Sequence, residues 1–323
     1  MALLEVKNLS ITFDTKKGPI TPVRDISFVI EKGQSLGVVG ESGCGKSLTN
    51  LALMGLLPDN ATVKAEKMSF DGNDLKSLSN NEWQKIRGNR MSMIFQDPMT
   101  SLNPSFTVGY QIEETLKLHR SELNKVQRKK RLLELFDMVG IPDPARRLSQ
   151  YPHEMSGGMN QRVMIAMSMA CDPELLIADE PTTALDVTIQ DQILNLLLDL
   201  QKQTGMALIL VTHDLGVVAQ NTSKLQVMYA GEIVETGDTQ SLIHSPRHPY
   251  TRGLLNSHAG HGHPFRSPLP SISGLVPDLF HRPKGCQFKP RCDIAVKECE
   301  LEQPQMIDCV RCLKVTGSLG GQQ

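Results

Sequence analysis

No apolar run in these 323 residues approaches the length of about 20 that a membrane-crossing helix requires. Leu196-Leu197-Leu198 is interrupted by Asp199, and Met206 to Val211 has only the length of a strand. A chain of this kind that works at a membrane would do so through a partner. Excess charge of either sign is also missing: the formal net charge is −1, so no global field draws the chain to nucleic acid or to an anionic bilayer. The N-terminus lacks the apolar core of a secretory leader, carrying Glu5 and Lys7 there, and the expectation is a chain that stays in the cytosol. Its seven cysteines are then not expected to form disulfides. Five of them crowd the last stretch of about forty residues, which in a reducing compartment points to metal. Sustained heptads, and with them long coiled-coil arms, are absent. What remains is ordinary globular composition, 40% hydrophobic and 21% charged, with room for one large domain and an appendage or for two domains.

Against that background, Gly40-Glu41-Ser42-Gly43-Cys44-Gly45-Lys46-Ser47 satisfies every fixed position of a phosphate-binding loop. The glycines let successive N–H groups face a triphosphate, and a helix starting near Lys46 adds its positive end. Lys46 would reach the β- and γ-phosphates and the Ser47 hydroxyl would hold Mg²⁺. Ser35 to Val39 reads as the preceding strand, and Leu48, Leu51, Ala52 and Met54 recur at helical spacing after it. Earlier, Leu4, Val6, Leu9, Ile11 and Phe13 predict one or two half-buried strands, with Phe13 a core residue by spacing alone. Met91 to Phe95 is a further strand, ended by Gln96-Asp97-Pro98.

From Val108 to about Pro173 the periodicity turns helical, and the run Arg128 to Arg131 reads as a solvated helix face. Ser156-Gly157-Gly158-Met159 then opens another helix with exposed N–H groups suited to an anion. Leu175 to Ala178 predicts a buried parallel strand ending in Asp179 and Glu180. If Asp179 faces the phosphate loop it suits Mg²⁺, and Glu180, placed by the bend that follows, suits the attacking water. His213 follows the next buried strand and falls at the sheet edge where open α/β sheets bind ligands.

The ordered motifs resemble those of the ATP-binding cassette ATPases. On that resemblance Gln96 matches the Q-loop, Ser156-Gly157-Gly158 the signature, Asp179 and Glu180 the Walker B pair, Ala184-Leu185-Asp186 the D-loop, His213 the switch histidine and Phe13 the adenine-stacking aromatic. It implies an α/β fold, a RecA-like core with an antiparallel β subdomain and a helical subdomain at about 105–173, over residues 1–240. ATP would be held by Phe13, Gly40, Ser42, Gly43, Cys44, Gly45, Lys46, Ser47, Leu48 and Asp179, with Mg²⁺ on Ser47, Gln96 and Asp179. Ser156, Gly157, Gly158, Met159 and Asp186 would touch the ATP of a partner subunit, and Glu180, His213 and Gln96 would act in hydrolysis. Cys44 stands where serine is common and reads as a tolerated small residue.

Gln96 to Pro104, Ser156 to Arg162 and Arg247-His248-Pro249-Tyr250 narrow the resemblance to the dipeptide/oligopeptide/nickel importer ATPases, D-type. That implies two permeases, a second F-type ATPase as heterodimer partner, an extracytoplasmic solute-binding protein, and a place on the cytoplasmic face of the inner membrane, with no nucleic acid. Residues 241–323 form a C-terminal extension. Pro246 to Pro283 reads as an extended connector, with His258, His261 and His263 as polar linker residues. Cys286, Cys292, Cys299, Cys309 and Cys312 lack paired C-x₂-C knuckles, and four thiolates can hold zinc or an iron–sulfur cluster. The resemblance implies a [4Fe–4S] cluster on Cys286, Cys292, Cys299 and Cys312, with Cys309 as the alternative fourth ligand. A soluble cassette ATPase acting on nucleic acid or ribosomes, and an iron-responsive regulator, are the competing readings.

Overall fold

The computed structural model describes residues 2–183, 185–212, 214–257 and 271–317. The chain divides into two compact units, one made of Glu31–Gln34 and Ser77–Val211, the other of Ala2–Ile30, Ser35–Lys76 and Thr212–Gln323.

The second unit begins with β1 (Ala2–Thr15) and β2 (Gly18–Glu31). Leu4, Val6, Leu9 and Ile11 are all buried, although their spacing slips by one residue between Val6 and Leu9. Asn8, at φ 51°, absorbs the slip, so one continuous strand forms where the spacing allowed two. Asparagine visits this left-handed region at little cost. Between β2 and the next ribbon come β3 (Ser35–Val39) and α1 (Lys46–Leu53). β4 (Ala61–Lys64), β5 (Lys67–Phe70) and β6 (Asn73–Asp74) complete a sheet in the order β2-β1-β5-β6, with β4 on β1 and Phe13 opposite Ala61. Asp71 and Gly72, both at positive φ, make the tight β5–β6 turn.

The first unit carries α2 (Asn80–Ile86), β7 (Met91–Ile94), α3 (Pro98–Ser101), α4 (Val108–His119), α5 (Lys125–Met138), α6 (Pro144–Arg147), α7 (Gly157–Ser168), β8 (Leu175–Asp179), α8 (Val187–Thr204) and β9 (Ala207–Thr212). β8 pairs in parallel with β7 and with β9, and all five of its residues are buried. Continuous burial of this kind is how a parallel strand covered on both faces reads in sequence. The basic run on α5 corrects the solvated-face expectation at both ends. Arg128 donates to Glu113 on α4 at 3.1 Å, and Arg131 reaches Asp172 at 2.6 Å and the carbonyls of Met169 and Ala170. Only the middle residues, Lys129 and Lys130, face water.

The second unit resumes with α9 (Leu215–Asn221), β10 (Lys224–Tyr229), β11 (Glu232–Asp238), α10 (Thr239–His244), α11 (Pro249–Asn256) and α12 (Glu298–Leu301). β10 lies parallel to β3 and antiparallel to β11. The expectation of an extended connector from Pro246 is corrected at its start. His248 caps α11 with its side chain, Pro249 fills the first helical position, and Tyr250 and Leu255 enter the same core as Val39, Val227 and Phe288. The rings of Tyr229, Tyr250 and Phe288 stand 4.6 to 5.4 Å apart. Apolar residues far apart in the chain thus share a core that no local periodicity announces. The segment around Val310 then runs beside β11, where Arg311 N–H donates to Val234 and Thr236 N–H to Cys309. His258, His261 and His263 lie outside the described residues.

Candidate functional site

In the second unit, the phosphate loop is closed by backbone contact. A methyl group on Gly40 would stand 2.1 Å from the Met228 carbonyl oxygen, and one on Gly45, at φ 102°, 2.9 Å from Met228 Cε. Gly40 needs glycine because the backbone of β10 ends directly against the loop, and Gly45 because of its left-handed backbone. Gly45 is also the N-cap of α1, so the loop delivers its N–H groups to a helix start. The Lys46 ammonium is buried and donates to Gly40 O at 2.7 Å, Glu41 O at 3.1 Å and Cys44 Sγ at 3.7 Å. Cys44 is buried as well, and burial pushes its thiol above the ordinary range, so it packs as a small apolar residue. Ser42 and Gly43 face water, and Ser47 and Leu48 are half-buried. Phe13 is half-buried on β1.

In the first unit, Asp179 is buried at the end of β8 and Glu180 turns out of the strand at φ 46°. That left-handed residue is the bend expected at the strand's end, and Glu180 N–H still bonds to Val211 O at 2.9 Å. Gln96 Nε2 donates to Glu180 Oε2 at 3.0 Å, and Thr183 Oγ1 lies 3.1 Å from the same oxygen. The structure therefore brings Gln96 and Glu180 together. Ser156 caps α7, its Oγ accepting from Met159 N–H at 3.3 Å, and Gly157, Gly158 and Met159 form that helix's first turn. Asp186 likewise caps α8 by accepting from Ile189 N–H. Both residues thus have a helix-capping task alongside the expected contact with a partner's nucleotide. His213 and Ala184 lie outside the described residues.

The tail holds the third cluster. Cys286, Cys292, Cys299 and Cys312 line one enclosed cavity together with His248, Phe288, Lys289 and Lys314. Cys309 is exposed and lies outside that lining. Burial, reinforced by the other three cysteines, pushes the Cys286 thiol up to about 12. Four ionised thiols could share such a place only with a compensating cation, which reverses that direction. Among the described residues, however, no group of three or more His, Cys, Asp or Glu side chains is placed to hold a metal ion.

Contacts that the sequence did not announce complete the second unit's site. The Tyr250 hydroxyl accepts from Glu41 N–H at 3.0 Å, and Arg291 grips the Glu41 carboxylate at 2.7 and 2.9 Å. Glu235 accepts from the backbone N–H groups of Arg247 and His248. These pairs are separated by up to 250 residues, beyond any local signal.

Residues 23–183 match the family described as ABC transporter, and residues 234–299 match the family described as oligopeptide/dipeptide transporter, C-terminal region. The chain is 52% identical over 306 residues to the dipeptide transport ATP-binding protein DppD of Escherichia coli, covering 95% of this chain and 93% of that one. It is 50% identical over 305 residues to the oligopeptide transport ATP-binding protein OppD of Bacillus subtilis, covering 94% and 85%. Among solved structures, the ATP-binding cassette MJ0796 bound to ADP and Pi superposes with a TM-score of 0.65 at 27% identity, over 73% of this chain and 99% of that one. No helix among the described residues is long and apolar enough to cross a membrane.

Proposed function

The chain belongs to the ABC transporter ATPase family, and on that premise we propose that it is the ATP-hydrolysing subunit of an importer for di- or oligopeptides or a related solute. The observation that carries the proposal is the likeness to peptide-transport ATP-binding proteins across the tail as well as the cassette. Neither the soluble nucleic-acid ATPase nor the iron-responsive regulator finds support in these relatives. The division into a nucleotide-binding domain over 1–240, with its helical insertion at about 105–173, and an extension over 241–323 belongs to the same proposal.

In this reading ATP enters the cradle of Gly40–Ser47 and Lys46 exchanges the carbonyls of Gly40 and Glu41 for phosphate oxygens. Phosphoryl transfer to water needs positioning and charge neutralisation more than covalent chemistry. Glu180 accepts the proton of the attacking water, and Gln96, bonded to Glu180 Oε2, orients that carboxylate. His213 senses the γ-phosphate, and Phe13 stacks on the adenine. Ser156, Gly157, Gly158, Met159 and Asp186 meet the nucleotide of the partner ATPase. The Ser47 hydroxyl, Gln96 amide and Asp179 carboxylate are hard oxygen donors that fit Mg²⁺, which when bound neutralises phosphate charge. ATP binding closes the pair of ATPases and hydrolysis reopens it.

The partners are two permeases, an F-type second ATPase and an extracytoplasmic binding protein, and the chain sits at the cytoplasmic face of the membrane. Four cysteines around one cavity support a [4Fe–4S] cluster held by Cys286, Cys292, Cys299 and Cys312. A cluster sets its ligands farther apart than a single zinc ion does, and when bound it would serve as an anchor for the tail. The exposed Cys309 is left out of this set.

Affinity capture from gently solubilised native membranes, with mass spectrometry and iron analysis of the same sample, tests the proposal. Recovery of multi-span permeases and a sibling ATPase, with iron near four per chain, is expected. Capture of nucleic acid or ribosomes without a permease would overturn it.

A further inference from the structure

Glu41 is the second residue of the phosphate loop, and its polar groups are held on every side. Its N–H donates to the Tyr250 hydroxyl at 3.0 Å, its C=O accepts from Lys46 Nζ at 3.1 Å, and its carboxylate oxygens take Arg291 Nη1 and Nη2 at 2.7 and 2.9 Å. A two-point guanidinium–carboxylate pair fixes orientation as well as distance. Arg291 is itself fixed. Its side chain is 4% exposed, its guanidinium lies over the Tyr229 ring, and it donates to the carbonyls of Ser273 and Ile272. Three residues before Arg291 is the core residue Phe288, and the next residue is Cys292, which lines the cysteine cavity. All of these residues belong to one compact unit.

We infer that Arg291 is a positioning residue of the nucleotide site, neutralising Glu41 beside the phosphate cradle and tying that cradle to the cysteine cavity. The inference rests on reading Gly40–Ser47 as the seat of the nucleotide phosphates. Those phosphates bring several negative charges to the loop. A Glu41 carboxylate stripped of its guanidinium would repel them. Linkage makes the effect reciprocal: whatever loosens the cavity weakens nucleotide binding, and bound nucleotide protects the cavity by the same factor.

The test uses the full chain and Mg–ADP, with affinity read by calorimetry and cavity integrity read as the rate of alkylation of Cys286 and Cys292 with and without ADP. Arg291→Met is expected to weaken ADP binding about tenfold, within the usual range of site-to-site coupling. The double variant with Glu41→Gln is expected to recover most of that loss, because the uncompensated charge is gone; a merely structural lesion would not be rescued this way. ADP should slow alkylation in the parent and not in Arg291→Met. Glu41→Gln alone leaves the tail untouched and should also abolish the ADP protection, which keeps the test open if Arg291→Met fails to fold. Parental affinity in Arg291→Met, a double variant as weak as the single one, or undiminished ADP protection in the variants would overturn the inference. Lys46→Ala separates the two levels. If it leaves ADP binding intact, the cradle reading itself fails; if it abolishes binding while Arg291→Met does not, only the inference fails.

Discussion

Replacing Tyr250 by phenylalanine deletes one oxygen from a fully buried ring and leaves every apolar contact in place. That oxygen accepts from Glu41 N–H at 3.0 Å, at the entrance of the phosphate loop. A buried donor stripped of its acceptor costs about 1–3 kcal/mol, whereas the net worth of an average hydrogen bond is nearer 1. The phenol's own burial cost, visible in the strong upward push on its pKa, disappears with it and offsets part of the loss. The expected net destabilisation is therefore about 1–2 kcal/mol. Tyr229→Phe is the matched control. Among the described residues its hydroxyl meets only a long 3.5 Å contact from Arg291, so it should cost less than about 0.5 kcal/mol. Urea unfolding of parent and variants, followed by a common spectroscopic signal and compared at equal m-values, gives both numbers. A Tyr250→Phe variant as stable as the parent, or a Tyr229→Phe variant equally damaged, would refute the claim that Tyr250 holds the loop.

Three further outcomes are expected. Phe288→Ala, at the meeting point of three aromatic rings and the cysteine cavity, should destabilise by about 3–5 kcal/mol in the same urea assay. His248 is driven down to about 3 by burial and by Arg252, and its Nδ1 must stay unprotonated to accept from Tyr250 N–H. The unfolded chain then binds that proton near pH 6.5 and the folded chain does not. The His248 contribution to stability is intact above about 6.5 and falls by about 1.4 kcal/mol per unit towards pH 3, a dependence that His248→Asn should lack between pH 7 and 5. Glu180→Gln should retain ATP binding and lose turnover by about 10²- to 10⁴-fold in the assembled complex, checked by nucleotide titration beside phosphate release.

The parts of the site that were legible in the sequence are those whose chemistry is local. Gly40 and Gly45 are read from spacing: at Gly40 the Met228 carbonyl leaves no room for a side chain, and at Gly45 the backbone turns to a φ of 102°. Asp179 and Glu180 announce themselves as carboxylates at the end of a continuous apolar run, and the bend after Asp179 is a left-handed Glu180. The grip of Arg291 on Glu41 has no such trace, since an arginine beside a cysteine and a glutamate in a glycine-rich loop each look ordinary. The tail misled for the same reason. Proline and glycine from Pro246 to Pro283 suggested a connector, while Tyr250 and Leu255 within it belong to a core shared with Val39 and Val227. At Asn8 the break in alternation had a local cause, yet one strand or two could be decided only by the backbone angle.

The most direct measurement of the central claim is ATP hydrolysis by the full complex in liposomes, with permeases, sibling ATPase and binding protein present and peptide supplied on the binding-protein side. The account predicts that peptide-loaded binding protein raises ATP turnover, that labelled peptide enters the lumen in step with it, and that Lys46→Ala or Glu180→Gln in this chain lowers both. Peptide uptake that continues undiminished with Lys46→Ala in this chain would contradict it.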